Sequence, residues 1–402
     1  MEEKQLPKLS SYRWVILAIA ALMDVVSNYT QFQVSALATQ IMPALHITPA
    51  QYSSLLMAPM LIAVFLSIPA GSLADRFGAK KVVTVGLVVS VIGAFGRLIA
   101  HNFITMMIML LMFGVYMALL NANTIKIFGI WFKQDTNMAM GVFFASASIG
   151  IMLSQITGPM FKSINSAYTF SSVLLLILAV CWVLFVRDTP KGEEVPQAQG
   201  QQESSMSYFK VAAKSGKVWL IGICGGCCTA AAMAFSGILP QAFAARGMNG
   251  RQAGMFAAIA TVGSLCGSLF GPAIVGKLKN AKPFMITTTL LSAVLMGITW
   301  YVPLGGVLLV TLIFGGLCGA ITGPLLQAMP IQFPEIGPKY AGSAGGLVGT
   351  MSLLLSYVVP VIISGIAGHN FALTFILQGT IFGLTVIILA ILPDANHAGE
   401  RK

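Results

Sequence analysis

One carboxylate stands inside an apolar run. Asp24 lies about eleven residues into RWVILAIAALMDVVSNYTQFQVSAL, whereas the other Asp and Glu residues fall in loops or tails. Asn28, Gln31 and Ser35 follow it at four, seven and eleven positions, so on a helix all four share one face. Desolvation disfavours a charged carboxylate. Such an acid can take a proton on one side of a barrier and release it on the other, which would couple a solute to a proton gradient. The same residue types also suit a neutral acid donating to a neighbouring helix, or a carboxylate recognising a cation.

The basic counterpart is Lys126 in NANTIKIFGIWF, with Asn121 and Asn123 just before it and Trp131 and Phe132 after it. Amides beside an ammonium suit a small carboxylate or similar anion. A snorkelling interface lysine, or a helix C-terminal charge favoured by the dipole, would look the same. Arg97 reads as an outer-surface residue that draws anions in or anchors its helix. In the second half, GICGGCCTAAAMAFSGILPQ and GAITGPLLQAMP carry Thr229, Gln241, Thr322 and Gln327 beside Gly and Pro, which permit bends where side chains line a cavity.

Two patterns imitate other chemistries. GPAIVGKLKN has Gly271, Gly276 and Lys277 at phosphate-loop spacing, but Leu278 stands where a hydroxyl should bind magnesium, and no buried strand precedes it. Cys224, Cys227 and Cys228 have C-x-x-C spacing without the further ligands that zinc wants. They read as small packing residues, and no metal or cofactor is expected. The histidines His46, His101, His369 and His397 fall in loops or the tail, away from any carboxylate cluster or nucleophile elbow, which argues against an enzyme.

The elements that position these residues follow from composition. The chain of 402 residues is 57% hydrophobic and 9% charged, against roughly a quarter charged in soluble proteins. Apolar stretches long enough to cross a bilayer occupy 13–37, 50–73, 81–100, 104–128, 137–160, 167–186, 217–243, 251–276, 283–300, 304–328, 340–365 and 370–393, predicting twelve transmembrane helices. With both termini cytoplasmic, only Arg97, Lys162, Arg246 and Arg251 among the loop cations fall outside, as the positive-inside rule requires. The net charge of +11 is thus a topology signal scattered over loops and tails, and no nucleic-acid partner is expected. The first apolar run is too long for a cleaved signal peptide and lacks a small-residue cleavage site.

The polar stretch 187–216 reads as a cytoplasmic linker between an N-terminal bundle, 1–186, and a C-terminal bundle, 217–402. Shifting the numbering by about 200 lays GSLADRFGAKK, from Gly71, over GPAIVGKLKNA, from Gly271, so the near-phosphate loop is the second copy of a repeated cytoplasmic loop.

GSLADRFGAKK resembles the loop between the second and third helices of the major facilitator superfamily, through Gly71, Leu73, Asp75, Arg76, Gly78, Lys80 and Lys81. Ala79 departs from that pattern, where a basic residue is usual, and the second copy has Val275 and Gly276 in place of the Asp and Arg. The resemblance implies an all-α membrane protein with two six-helix bundles, and a gating role for Gly71, Asp75, Arg76, Gly78, Lys80 and Lys81. GRLIAHNF, NANTIKIFGIWFKQ and FPEIGPKYAGSAGGL further resemble facilitators that include the cyanate and nitroimidazole porters. Nitrate and nitrite porters place an Arg within helices 2 and 8, and the corresponding interiors here hold none.

The expectation is a secondary transporter of the inner membrane, acting as a monomer without a cofactor. It would move a small organic or inorganic anion together with protons. Proton-coupled efflux of hydrophobic or cationic compounds is the alternative, for which the many Met and Phe would make an accommodating cavity.

Overall fold

The computed structural model describes residues 10–190, 213–275, 278, 281–329 and 337–392. In lipid every backbone N–H and C=O must be satisfied within the segment, so long apolar runs become helices. The described chain is α1 (Arg13–Ala36), a short α2 (Ala38–Leu45), α3 (Pro49–Phe77), α4 (Ala79–Gly96), α5 (Phe103–Phe132), α6 (Thr136–Thr157) and α7 (Ile164–Phe185), followed by α8 (Gly216–Ala245), α9 (Gly250–Val275), α10 (Ala281–Ile298), α11 (Gly306–Ala328), α12 (Gly337–Ala367) and α13 (Phe371–Ile391). All but α2 are long and apolar enough to cross a membrane, twelve in total among the described residues. The expected spans are met to within a few residues. Only α2 was not foreseen, because at eight residues it is far too short to span.

Helix starts differ between the two ends of the molecule. At the end carrying residues 37–48, side chains cap the first turn of every spanning helix that starts there but α11, whose N-cap is Gly305: Thr48 with Gln51, Asn102 with Thr105, Ser163 with Ser166, Asn249 with Gln252, and Asn370 on the N–H of Leu373. These bonds satisfy N–H groups that a first turn leaves orphaned. At the opposite end the N-cap residues Tyr12, Gly78 and Asp135 make no side-chain cap.

Packing repeats between the halves. The pairs α1 with α6, α3 with α5 and α4 with α7 recur as α8 with α12, α9 with α11 and α10 with α13. The halves meet crosswise, α3 against α12 and α6 against α9. One core runs through the second half from Val218 to Leu392. The first half has two, one around Phe113, Phe128 and Trp182, the other around Tyr52, Leu110 and Tyr168. Apolar residues at helical spacing on the outside, such as Val85, Val88 and Ile92 of α4, face where lipid would be.

Candidate functional site

The polar stripe of α1 is buried along its whole length: Asp24, Asn28, Gln31 and Ser35 are each at most 5% exposed. What buries Asp24 is a close crossing of α1 and α6. Gly150 makes it close, since a Cβ there would lie 2.2 Å from the carbonyl oxygen of Val25. One turn earlier on α6, Ser146 then reaches the carboxyl group. Its Oγ lies 3.0 Å from Asp24 Oδ2, and Asn28 Nδ2 donates to Oδ1 at 3.2 Å.

Ser146 Oγ also lies 2.5 Å from the carbonyl of Phe143. A hydroxyl carries one hydrogen. When Asp24 is ionised, Ser146 donates to it. When Asp24 is protonated, its O–H donates to Ser146, which turns its own hydrogen to Phe143. The arrangement therefore completes its hydrogen bonds in either protonation state. Next to it, Ser27 Oγ and Tyr116 OH both donate to the carbonyl of Met23, at 2.6 and 3.1 Å, and touch each other. Tyr116 and Ser146 were not among the residues singled out from the sequence. Their signal was a hydroxyl inside an apolar helix, which packing residues share.

Further along the stripe, Gln31 Nε2 donates to the carbonyl of Leu56 at 2.9 Å while its Oε1 is buried without a partner. Ser35 Oγ donates to the carbonyl of Gly237 on α8, and Gln155 of α6 donates to Ser35 Oγ and to the carbonyl of Ser236. The stripe thus runs from a carboxyl group in the first half to the seam between the halves.

The remaining candidates do not converge on Asp24. Asn123 donates to the carbonyls of Leu119 and Ala70, and Lys126 Nζ lies 3.4 Å from the carbonyl of Ala74, so both reach across to α3 on successive turns. Asn121 is exposed on another face of α5. Lys126 lies ten residues along α5 from Tyr116, about 15 Å in depth, which puts it near the end of the span. Thr229 donates to its own helix at Gly225, and Thr322 pairs with Thr289 inside the second half. Gln241 donates to Met42 Sδ at the far end of α8, away from mid-depth. The Gln327 side chain lies outside the described residues.

Arg97 overturns the surface expectation. It is 1% exposed, turned back into the first half against Thr30, Tyr168 and Ser171. A hydropathy pattern ends a helix at such a residue and cannot show that its side chain folds inward.

In the repeated loop, Gly78 has φ +89°, and Asp188 sits over it, accepting from the N–H of Lys80 at 2.8 Å. Arg76 lies over the ring of Phe77 and Lys81 is exposed. The Asp75 side chain is outside the described residues, as are Gly276, Lys277 and Lys279 of the second copy. A close helix approach occurs at Gly271, where a Cβ would meet Ile321 at 3.0 Å. At Gly71 nothing lies within 4 Å.

Hydrogen bonds between described residues of the two halves lie at the end carrying residues 37–48. Besides Ser35 and Gln155, Tyr52 OH donates to Gly237, and Ser53 pairs with Ser364. There Gly254 brings α9 against α6, with a Cβ position 2.1 Å from the carbonyl oxygen of Gln155. Cys224 and Cys228 pack α8 against Thr385 of α13.

Comparison with known proteins agrees with this architecture. The chain is 22% identical to the probable sulfoacetate transporter SauU of Cupriavidus necator, over 97% of both chains. It is 25% identical to the probable nitrate transporter NarT of Staphylococcus haemolyticus, over 92% of this chain and 94% of that one. Among solved structures it matches the D-xylose-proton symporter with a TM-score of 0.77 at 15% identity, over 96% of this chain and 99% of that one. It matches the nucleoside transporter NupG with a TM-score of 0.74 at 16% identity, over 95% and 98%. Its named relatives are transporters rather than enzymes, and residues 16–360 match the family model described as Major Facilitator Superfamily, so this multi-pass membrane protein belongs to that superfamily.

Proposed function

We propose that this protein is a proton-coupled secondary transporter of a small organic or inorganic anion, working by alternating access. The observation that carries the reading is the Asp24 carboxyl group, buried at the middle of α1 among Asn28 and Ser146 in a hydrogen-bond arrangement that serves both protonation states. A carboxyl group that is satisfied with and without its proton can exchange that proton as the halves rock. Relatives named for sulfoacetate, galacturonate, nitrate and hexuronate support an anionic substrate. The resemblance of Arg97 and the Asn121 to Lys126 stretch to the cyanate and nitroimidazole porters keeps that branch as a narrower reading within the same class.

Residues 1–186 and 217–402 act as the two moving bundles, joined by 187–216. Both termini lie in the cytoplasm of a cell whose inner membrane holds the protein as a monomer. With that orientation the hydrogen-bonded seam is extracytoplasmic, so the structure corresponds to a state closed to the outside. Lys126, near the cytoplasmic end of α5, would meet the anion as it leaves, and Asp75 with Arg76 would latch the opposite state.

The test is uptake into proteoliposomes with an imposed pH gradient, over sulfoacetate, hexuronates, nitrate, nitrite and simple monocarboxylates, beside lipophilic cations. Gradient-driven accumulation of one anion, collapsed by a protonophore, supports the proposal. Movement of lipophilic cations alone, lost in Asp24→Asn, would replace it with efflux of cationic compounds.

A further inference from the structure

A cavity of about 250 Å³ opens in the first half at the end that carries residues 37–48, lined by Arg97, Tyr168, His101, Asn165 and apolar residues such as Ile41 and Met106. Three junctions build it: the one between α1 and α3 that holds α2, the turn between α4 and α5, and the start of α7. Its mouth carries the exposed His101 and Asn165, and its floor the buried Arg97 and Tyr168.

That floor is a cation held only by neutral groups. Arg97 Nε donates to the carbonyl of Ala94 at 3.3 Å, one Nη to the carbonyl of Thr30 at 3.3 Å and the other to Ser171 Oγ at 3.1 Å. The guanidinium lies over the ring of Tyr168, 4.4 Å from its centroid. A guanidinium has five N–H donors, so these bonds leave two unused. No carboxylate faces it, the one ion pair among the described residues being Arg13 with Asp135. A buried charge without a counter-ion is costly, and an unmade buried hydrogen bond adds to the cost. Tyr168 is a wall residue of the cavity, and its hydroxyl is buried without a partner.

We infer that this cavity binds a small anion, of the chemistry of a carboxylate, sulfate or halide, at a second site separate from Asp24. Arg97 supplies the charge and two N–H donors, and the Tyr168 hydroxyl supplies a third. Thr30, whose carbonyl Arg97 holds, lies six residues along α1 from Asp24, about 9 Å toward the end that carries residues 37–48. An anion seated here therefore ties α1, α4 and α7 together outside the transport pathway. The inference does not rest on the transport reading.

The test is thermal unfolding of the full chain in nanodiscs of phosphatidylcholine, titrated with sodium acetate, sulfate or chloride. Ionic strength is held with lactobionate, an acid too bulky for the cavity. Stabilisation that saturates with one of these anions is expected, since a ligand bound only to the folded state raises its stability. It should persist in the Asp24→Asn, Lys126→Gln double variant, which separates it from the proposed substrate site. Tyr168→Phe keeps the ring over Arg97 and removes only the hydroxyl, so it should weaken the anion by roughly three- to tenfold. Arg97→Gln, if it folds, should weaken it by tenfold or more. No saturable stabilisation overturns the proposal, as does stabilisation lost in the double variant or unchanged in Tyr168→Phe. Protection that comes only from adding phosphatidylglycerol, with no effect of any soluble anion, overturns it in favour of a lipid headgroup.

Discussion

The backbone N–H of Lys80 donates to Asp188 Oδ1 at 2.8 Å, so a carboxylate just beyond the end of α7 caps the start of α4. Gly78, the N-cap residue of α4, has no side chain with which to cap it. Asp188 also brings a negative charge to the positive end of the helix dipole. The loop between α3 and α4 is thereby tied to the first residues of the segment that joins the halves.

Removing that cap should lower stability. Asp188→Ala is expected to cost about 0.5–2 kcal/mol, the usual range for a lost N-cap, and Asp188→Asn much less, because an amide oxygen still accepts. Thermal unfolding of the two variants checks this. Equal losses, or no loss with Ala, would remove the cap from the account.

Asp24→Asn should abolish accumulation driven by a pH gradient and spare substrate counterflow, which needs no net proton movement. The asparagine can still bond Ser146 and Asn28, so folding should be retained. Both transport modes are measured on one proteoliposome preparation. If accumulation survives, the proton is carried elsewhere.

Gly254→Ala should force the seam between the halves apart. A methyl group there would sit 2.1 Å from the carbonyl oxygen of Gln155, in a contact of backbone with side chain that no rotamer relieves. Spin labels at His46 and His369, exposed at that end of the two halves, should show a larger population of long distances than the parent protein. An unchanged distance distribution would mean that α6 and α9 do not govern closure.

Tyr52→Phe is a gentler version of the same experiment. The carbonyl of Gly237 accepts from both Tyr52 and Ser35, at 2.8 and 2.9 Å, so losing the tyrosine hydroxyl leaves that acceptor satisfied. The expected cost to the closed state is about 0.5–1.5 kcal/mol, a few-fold to roughly tenfold shift in its population. The same pair of labels reads it, and the shift should be smaller than for Gly254→Ala.

The spans were legible because apolar length is a one-dimensional property, and the alternation of charge checked their number. The stripe through Asp24, Asn28, Gln31 and Ser35 was legible for the same reason, being fixed by the period of one helix. Ser146 and Tyr116 were not, since their role exists only once α1 meets α6 and α5. The caps at Thr48, Asn102, Ser163 and Asn249 are written in the sequence as short polar signals, to which apolar length is blind. Arg97 was misplaced because its partners, Thr30 and Ser171, come from helices distant in sequence. Asn123 and Lys126, taken as neighbours on α5, are neighbours in space as well, but they turn together toward α3.

The seam between the halves is built from hydroxyls, amides and backbone carbonyls: Ser35, Tyr52 and Gln155 on Gly237 and Ser236, and Ser53 on Ser364. Dissolved salt screens charges over about 8 Å at physiological ionic strength, and among the described residues this closure offers it no ionic contact to weaken. The lysines and arginines lie mostly at the other end. Salinity therefore acts unequally on the two ends: it leaves the hydrogen-bonded seam as tight as before and bears on the end where the basic loops gather.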